Sequence, residues 1–196
     1  MYKITHSLLS SWQYATSEDA REGAFDDFLR TLRGEPFEPT EAMLKGRRFE
    51  EAVNRLVADG APPIEDNDAV VDIAKIVQGG APQVRGEKGL LINGQKFLLV
   101  GVADYLKAGT IYDIKRTSRY EYGKYQDSTQ HPAYFELFPA SAFVYLIFDG
   151  YRVYQETYYR ADTPSIEQTI IQFIDFLRAS DLMPDYIEHW SVSDEV

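Results

Sequence analysis

Residues 95–115 read QKFLLVGVADYLKAGTIYDIK and contain two predicted strands, 95–106 and 110–115, joined at Ala108-Gly109. Residues 84–92 form another apolar segment, which Asn93-Gly94 connects to the first of these strands. Asn-Gly between two strand-like segments is the strongest short-range signal of a β-hairpin, because both turn residues take positive φ. The sequence therefore predicts three consecutive β-strands.

Two aspartates are opposed in this predicted sheet. A two-residue turn at Ala108-Gly109 pairs residues whose numbers sum to 217, so that Asp104 faces Asp113, and Lys115 shares the face of Asp113. Opposed carboxylates repel each other unless a cation lies between them, and Mg²⁺ binds few carboxylates together with water and phosphate. We expect the two carboxyl groups to lie within about 6 Å, bridged by a divalent ion. A three-residue turn would instead put the two acids on opposite faces.

A predicted helix, 40–58, carries the segment GRRFE at 46–50. Glu50 borders its apolar face, with Gly46 four residues before it and Asn54 four after it, whereas Glu51 has an arginine four residues before it and another four after it. We therefore expect Glu50 in the cleft and Glu51 at the surface. Gly46 costs about 1 kcal/mol relative to alanine in a helix, and it leaves room for a strand, a phosphate or a metal-bound water to approach.

Another predicted helix, 129–138, contains QHPAY at 130–134. Proline is tolerated in its first turn, where the amides have no partner within the helix, and Ser128 or Thr129 is a suitable N-cap. Gln130 and Tyr134, four residues apart, line one face beside an N-terminus that favours phosphate.

The remaining segments also divide into helices and strands. The predicted helices are 7–15, 18–33, 68–78 and a last one from Thr163-Pro164 to about 179, and the predicted strands are 141–148 and 151–159. With 196 residues, 44% of them hydrophobic, the chain fits one α/β domain with an N-terminal helical extension over about 1–38.

Composition limits the possible cofactors and locations. The chain has no cysteine, which excludes disulfides and thiolate-held zinc or iron–sulfur clusters and favours a reducing compartment. It has neither a signal-like N-terminus nor the ~20 consecutive apolar residues that a membrane span needs. We expect a soluble, cytoplasmic protein without membrane contact.

The net charge of −11 is the main objection to a nucleic-acid partner. The cations, however, lie near the motifs described above. Those that could contact a phosphate backbone are Arg47, Arg116, Arg119 and Lys124. The alternative is that they are ordinary solvated surface residues.

The segments GRRFE, GVADYL, IYDIKRTS and QHPAY, in this order over 46–134, resemble the motifs of the PD-(D/E)XK nuclease superfamily, and most closely its RecB-like exonuclease branch. The resemblance implies a restriction-endonuclease-like core, with a central mixed β-sheet flanked by helices. Two departures are that Glu50 stands where the branch often has histidine, and that the cysteines of cluster-binding members are absent.

The resemblance also implies a function and site roles. It implies a Mg²⁺- or Mn²⁺-dependent DNA exonuclease acting in recombination, repair or mobile-element or phage DNA processing. Asp104 and Asp113 would hold the metal, with Glu50 and the Ile114 carbonyl as additional ligands. Lys115 would orient or deprotonate the attacking water, and Gln130 and Tyr134 would position groups around it. No P-loop accompanies these motifs, so a helicase or recombination protein would be a separate partner.

Each motif alone has an ordinary structural explanation: a chance Asp-x-Lys, a glutamate at a helix rim, or a buried tyrosine beside a surface glutamine. The resemblance also allows a catalytically inactive nucleic-acid-binding or assembly module of the same fold. A different class is an acidic protein-interaction domain that uses its 14 tyrosines and 11 phenylalanines to contact a partner. Asp104 and Asp113 pointing apart would favour that class.

Overall fold

The computed structural model describes residues 1–61 and 66–193, and within these ranges six strands form one mixed sheet with helices on both faces. The strands are β1 Tyr2–Ile4, β2 Ala81–Ile92, β3 Gln95–Lys107, β4 Thr110–Arg116, β5 Ala142–Phe148 and β6 Val153–Tyr159. The helices are α1 His6–Ala15, α2 Ala24–Leu32, α3 Glu41–Asp59, α4 Asn67–Val77, α5 Gln130–Leu137, α6 Glu167–Ala179 and α7 Met183–Trp190, with a 3-10 turn at Arg160–Asp162. The predicted fold class, α/β with a central mixed sheet flanked by helices, is confirmed.

Both predicted two-residue turns form. Asn93 and Gly94 have φ values of 49° and 76°, and Ala108 and Gly109 have 47° and 75°, the left-handed conformations of a type I′ hairpin turn. The ladder after the second turn pairs Lys107 with Thr110 and Tyr105 with Tyr112. The predicted register of β3 and β4 is therefore confirmed.

Two strands, β1 and β4, pair with different parts of the same edge of β3. β1 runs parallel to it at residues 97–99, and β4 runs antiparallel to it at residues 105–107. Residues 100–104 lie between the ends of these two ladders. On the far side of β4, β5 pairs in parallel and β6 then pairs antiparallel to β5. The interval in β3 is where the polar side chains of the site meet.

Apolar side chains cover both faces of the sheet. The larger cluster packs the helices α1, α2, α5, α6 and α7 on one face; among its members are Leu8, Phe28, Leu99, Phe135, Phe143, Phe173 and Tyr186. The smaller cluster packs α3 and α4 on the other face; among its members are Phe49, Val53, Val70, Ile73, Tyr105, Val144 and Leu146. Neighbouring residues of β5 alternate between the two clusters, as the pleat of a strand requires.

Helix α5 lies unusually close to the sheet because two glycines are paired beneath it. Gly86 of β2 is the register partner of Gly101 of β3. A Cβ atom on Gly101 would lie 2.8 Å from Leu137 and 3.1 Å from Tyr134, and one on Gly86 would lie 2.9 Å from Phe138. The close approach lets the residues at the start of α5 reach the edge of β3.

Several predicted boundaries are wrong. The predicted helix 18–33 begins only at Ala24, because Gly23 before it has a φ of 78°. The last predicted helix begins at Glu167, so that Pro164 precedes it, and strand β6 begins at Val153 rather than at residue 151. Strand β1 and helix α7 were not predicted. The N-cap at Thr40 is confirmed, since its hydroxyl accepts the Met43 amide at 3.3 Å.

No helix in the described part of the chain combines the length and the apolar character that crossing a bilayer requires.

Candidate active site

Asp104 and Asp113 lie on adjacent strands, where β3 and β4 separate. The last backbone pair of their ladder is Tyr105 with Tyr112. One residue further, the Asp104 carboxylate accepts a hydrogen bond from the Ile114 amide at 2.8 Å. A side chain thus satisfies a backbone donor that would otherwise bond across the ladder, and this opens a gap between the strands.

Burial is the main influence on the ionisation of Asp104, and neighbouring acids add to it. Burial raises the pKa of this carboxyl group to about 8, and the charges of Asp113 and Glu50 act in the same direction. The Ile114 amide and the Lys115 charge oppose the shift without cancelling it. In the absence of a metal ion, Asp104 is therefore largely protonated at neutral pH.

Asp113 has one oxygen held by the protein and one without a hydrogen bond. The side chain is only 4% exposed, and its Oδ1 accepts a hydrogen bond from Gln130 Nε2. Its Oδ2 lies 2.7 Å from Lys115 Nζ, an ion-pair distance. Among the described residues, however, no donor meets this buried oxygen with hydrogen-bond geometry. This oxygen is therefore paired with Lys115 by charge but accepts no well-aligned hydrogen bond, which leaves it able to bind a metal ion as well.

Glu50 of α3 lies beside the same acidic gap. Burial raises its pKa and the charge of Asp113 raises it further, although Gln83 Nε2 donates a hydrogen bond to Glu50 Oε1 at 2.9 Å. Glu51 is exposed, as expected for a surface residue. A Cβ atom on Gly46 would meet nothing within 4 Å, so the helix surface one turn before Glu50 is open.

The acids do not form a closed cage. Within the described ranges, no three His, Cys, Asp or Glu side chains are grouped closely enough to hold a metal ion. The charge of Glu50 nevertheless affects Asp104, because Coulomb interactions extend beyond the distance of metal coordination. The two carboxylates fit an open Mg²⁺ site that water and substrate would complete, and they do not fit a site that needs three protein carboxylates.

Lys115 is positively charged in this environment. Burial lowers its pKa, but the charges of Asp113 and Asp104 outweigh that effect, so the pKa is raised. The amine also lies 6.0 Å from the centre of the Tyr145 ring. In the metal-free protein Lys115 is thus a donor rather than a base at neutral pH.

Gln130 and Tyr134 both lie in the interior at the site. Gln130 donates to Asp113 Oδ1, so the alternative of a surface glutamine is wrong. The Tyr134 hydroxyl donates to the Val102 carbonyl at 2.8 Å, within the interval of β3 between its two ladders. The backbone amide of Gln130 donates a hydrogen bond to the Ser128 hydroxyl. The Thr129 hydroxyl donates to the His6 carbonyl instead of capping the helix. Helix α5 therefore supports both the acid and the strand.

The four predicted phosphate-contacting cations differ in their surroundings. Arg116 lies 3.2 Å from Asp66 and above the Phe148 ring, so it is already paired. Arg119 is paired with Glu121 at the surface. Lys124 donates to the Thr117 hydroxyl at 2.9 Å and to the Arg119 carbonyl at 3.0 Å. Arg47 is exposed on α3.

Two residues near the site were not predicted. Gln83, which binds Glu50, has a φ of 49° near the start of β2, a strained conformation for a residue with a side chain. The second is His6, whose ring packs edge-on against Tyr134 with the ring centres 5.4 Å apart. Burial lowers the pKa of His6 to about 3, and the charge of Lys115 acts in the same direction. A sequence pattern signals neither contact, since both depend on tertiary packing.

His131, next to Gln130 in α5, is also buried. Its ring stacks on Tyr158 at 4.2 Å, and one ring nitrogen lies at a hydrogen-bonding distance of 3.4 Å from the Tyr145 hydroxyl.

The raised pKa of Asp104 predicts how stability depends on pH. The folded pKa of about 8 lies above the ordinary value of 3.8, so the folded state binds this proton more tightly than the unfolded state. The resulting stabilisation is complete below pH ~4 and is lost as pH rises through ~8. In chelator, urea denaturation should show the wild type losing at least about 1 kcal/mol between pH 5 and 9 relative to Asp104→Asn. If the free energy of unfolding changed with pH in the same way for the wild type and Asp104→Asn, the raised pKa of Asp104 would be contradicted.

Comparison with known proteins supports the fold. No protein-family model matches the chain, and no curated protein matches its sequence. The structure is similar to the crystal structure of SSO0001, with a TM-score of 0.55 and 12% identity over 92% of this chain and 77% of that one. It also aligns with the crystal structure of LHK-Exo in complex with dAMP, with a TM-score of 0.41 and 15% identity over 94% and 89% of the two chains. The similarity to SSO0001 concerns the fold alone, which is consistent with the expected restriction-endonuclease-like core.

Proposed function

We propose that this protein is a divalent-metal-dependent nuclease of the PD-(D/E)XK type, in its RecB-like branch, and that it hydrolyses phosphodiester bonds in DNA. The observation that carries the proposal is the pair of inward-facing carboxylates on β3 and β4. Asp113 Oδ2 is buried without a hydrogen bond, and burial together with the charges of the neighbouring acids raises the pKa of Asp104. A lysine lies 2.7 Å from that oxygen. Binding a cation and a phosphate explains this arrangement of acids better than a purely structural role does.

Asp104, Asp113 and the Ile114 carbonyl would hold Mg²⁺ or Mn²⁺, with Glu50 acting from the cleft wall. The ion, when bound, activates water and neutralises charge on the phosphate. Lys115, as a cationic donor, orients the water and stabilises the charge that develops on a phosphate oxygen. The proposed role of Lys115 is therefore charge stabilisation, in preference to deprotonation.

Gln130 and Tyr134 support these groups. Gln130 fixes the orientation of Asp113 through Oδ1, which leaves Oδ2 for the cation. Tyr134 holds the strand that carries Asp104 through the Val102 carbonyl. Both are therefore positioning residues. Exonuclease action, and roles in recombination, repair or mobile-element or phage DNA processing, are the parts of the proposal that follow from the motif resemblance.

DNA binding that depends on a divalent ion tests the proposal. A protein with a net charge of −11 cannot attract DNA at long range, so binding needs the ion to reduce the repulsion between the acids and phosphate. Fluorescence anisotropy with labelled DNA should show almost no binding in chelator and recovery in Mg²⁺ or non-catalytic Ca²⁺. The salt dependence should correspond to ~2–4 phosphate contacts.

The control is Asp104→Asn, which should lose the response to Ca²⁺. Tight binding in chelator with a steep salt dependence would favour an inactive nucleic-acid-binding module. The absence of binding under every condition would contradict a nucleic-acid role.

A further inference from the structure

The segment 117–129 between β4 and α5, here called the β4–α5 loop, is fastened to the sheet by a buried carboxylate. Glu156 of β6 is only 2% exposed. It accepts hydrogen bonds from the Tyr120 hydroxyl at 2.6 Å, from the Tyr125 amide at 3.4 Å and from the Tyr158 hydroxyl. Two of these donors belong to the loop. A buried charge with its acceptors filled is costly to disturb, so it holds the loop in one place.

The same loop covers the side of the candidate active site. The Tyr125 ring stacks on Tyr145 at 4.4 Å with an interplanar angle of 18°. In the sheet register, Tyr145 lies between Asp113 on β4 and Glu156 on β6. Lys115 is 6.0 Å from the Tyr145 ring. The loop therefore begins at the strand of the proposed catalytic lysine and is anchored along the row of residues that contains Asp113.

One aromatic ring of this loop is left in solvent. Tyr122 is 87% exposed, whereas Tyr120 and Tyr125 on either side of it are half-buried. Arg119 and Lys124 flank it in sequence. Among the described residues, the Arg119 guanidinium is paired with Glu121 alone, in a surface contact worth about 0–1 kcal/mol, so a phosphate can replace it.

We propose that Tyr122 stacks on an unpaired base of the DNA strand, with Arg119 and Lys124 contacting the phosphates on either side. The inference rests on the proposed nuclease function and names its substrate class: a single strand, or an end whose bases are unpaired. Proteins that bind single strands without sequence preference combine exposed aromatic rings with nearby cations. The rings stack on the bases, and any base can stack because every base has an aromatic face. In a duplex those faces are covered by neighbouring bases.

Binding by the full chain in Ca²⁺ tests the inference. The probes are a fluorescent single strand, the same strand with abasic positions and its duplex. Tyr122→Ala should weaken binding of the base-bearing strand by about 10-fold, and Tyr122→Phe should retain it. On the abasic strand, Tyr122→Ala and the wild type should bind equally.

Tyr159→Ala is the matched control. Tyr159 is also exposed, at 56%, but it pairs with Ala142 at the opposite end of the sheet. This variant should bind like the wild type. Because Tyr122 is exposed, its replacement should leave the thermal midpoint unchanged, which separates a binding defect from unfolding.

The outcomes separate this inference from the proposed function. If the wild type binds and cleaves DNA in a metal-dependent manner while Tyr122→Ala binds the single strand normally, the inference is wrong and the proposed function stands. Equal wild-type affinity for duplex and single strand would also overturn it. If the wild type neither binds nor cleaves DNA, the proposed function fails and the inference fails with it.

Discussion

Replacing Asp113 by asparagine is expected to reduce phosphodiester hydrolysis by about 10³-fold or more, as the loss of several kcal/mol of transition-state stabilisation implies. The substitution keeps the shape of the side chain and an oxygen that can accept the Gln130 hydrogen bond. It removes the negative charge from the buried group whose Oδ2 has no hydrogen bond. Initial rates on labelled DNA at saturating Mg²⁺ measure the effect.

A matched acid-to-amide change provides the control. Asp185→Asn removes a carboxylate that pairs with Arg33 at 3.0 Å, near the surface and away from the site. Its rate should equal that of the wild type, while circular dichroism should show both variants folded. An Asp113→Asn rate within tenfold of the wild type would remove Asp113 from the proposed metal site.

Replacing Lys115 by alanine should reduce turnover by roughly 10²–10⁴-fold, the usual effect of losing a group that stabilises charge or transfers a proton. Metal binding should persist, because Lys115 is not a ligand. Isothermal titration with Ca²⁺ measures the binding, and single-turnover cleavage in Mg²⁺ measures the rate. A near-normal rate would remove Lys115 from the mechanism.

The stability of this variant should also change, because the Lys115 amine lies 2.7 Å from buried Asp113. Removing one partner of such a pair leaves a charge without compensation, at a cost of about 3–5 kcal/mol. We therefore expect a lower thermal midpoint in chelator that Ca²⁺ largely restores. Lys75→Ala, which breaks an exposed ion pair with Asp72, is the control and should change neither the thermal midpoint nor the cleavage rate.

The sequence predicted the central hairpins because local chemistry determines them. Asn93-Gly94 and Ala108-Gly109 allow the left-handed turn conformation, and a two-residue turn leaves one register for the strands. The opposition of Asp104 and Asp113 follows from that register. These features depend on neighbouring residues alone, so a pattern can show them.

The missed features depend on distant parts of the chain. Strand β1 has three residues and exists because it pairs with residues 97–99, far away in sequence. The pairing of Arg116 with Asp66 is likewise a tertiary contact. The buried hydrogen bonds of Glu156 join β6 to a loop more than 30 residues earlier. No local spacing shows which side chains will meet in this way.

A titration of Mg²⁺ and Mn²⁺ against end-labelled linear and circular single-stranded DNA tests the central claim most directly. If Asp104 and Asp113 form the metal site of an exonuclease, the linear strand is degraded in proportion to metal occupancy, the circle is spared and chelator stops the reaction. Cleavage of circles would contradict exonuclease action. Failure of either ion to produce cleavage of either substrate by the folded wild-type protein would contradict the nuclease function itself.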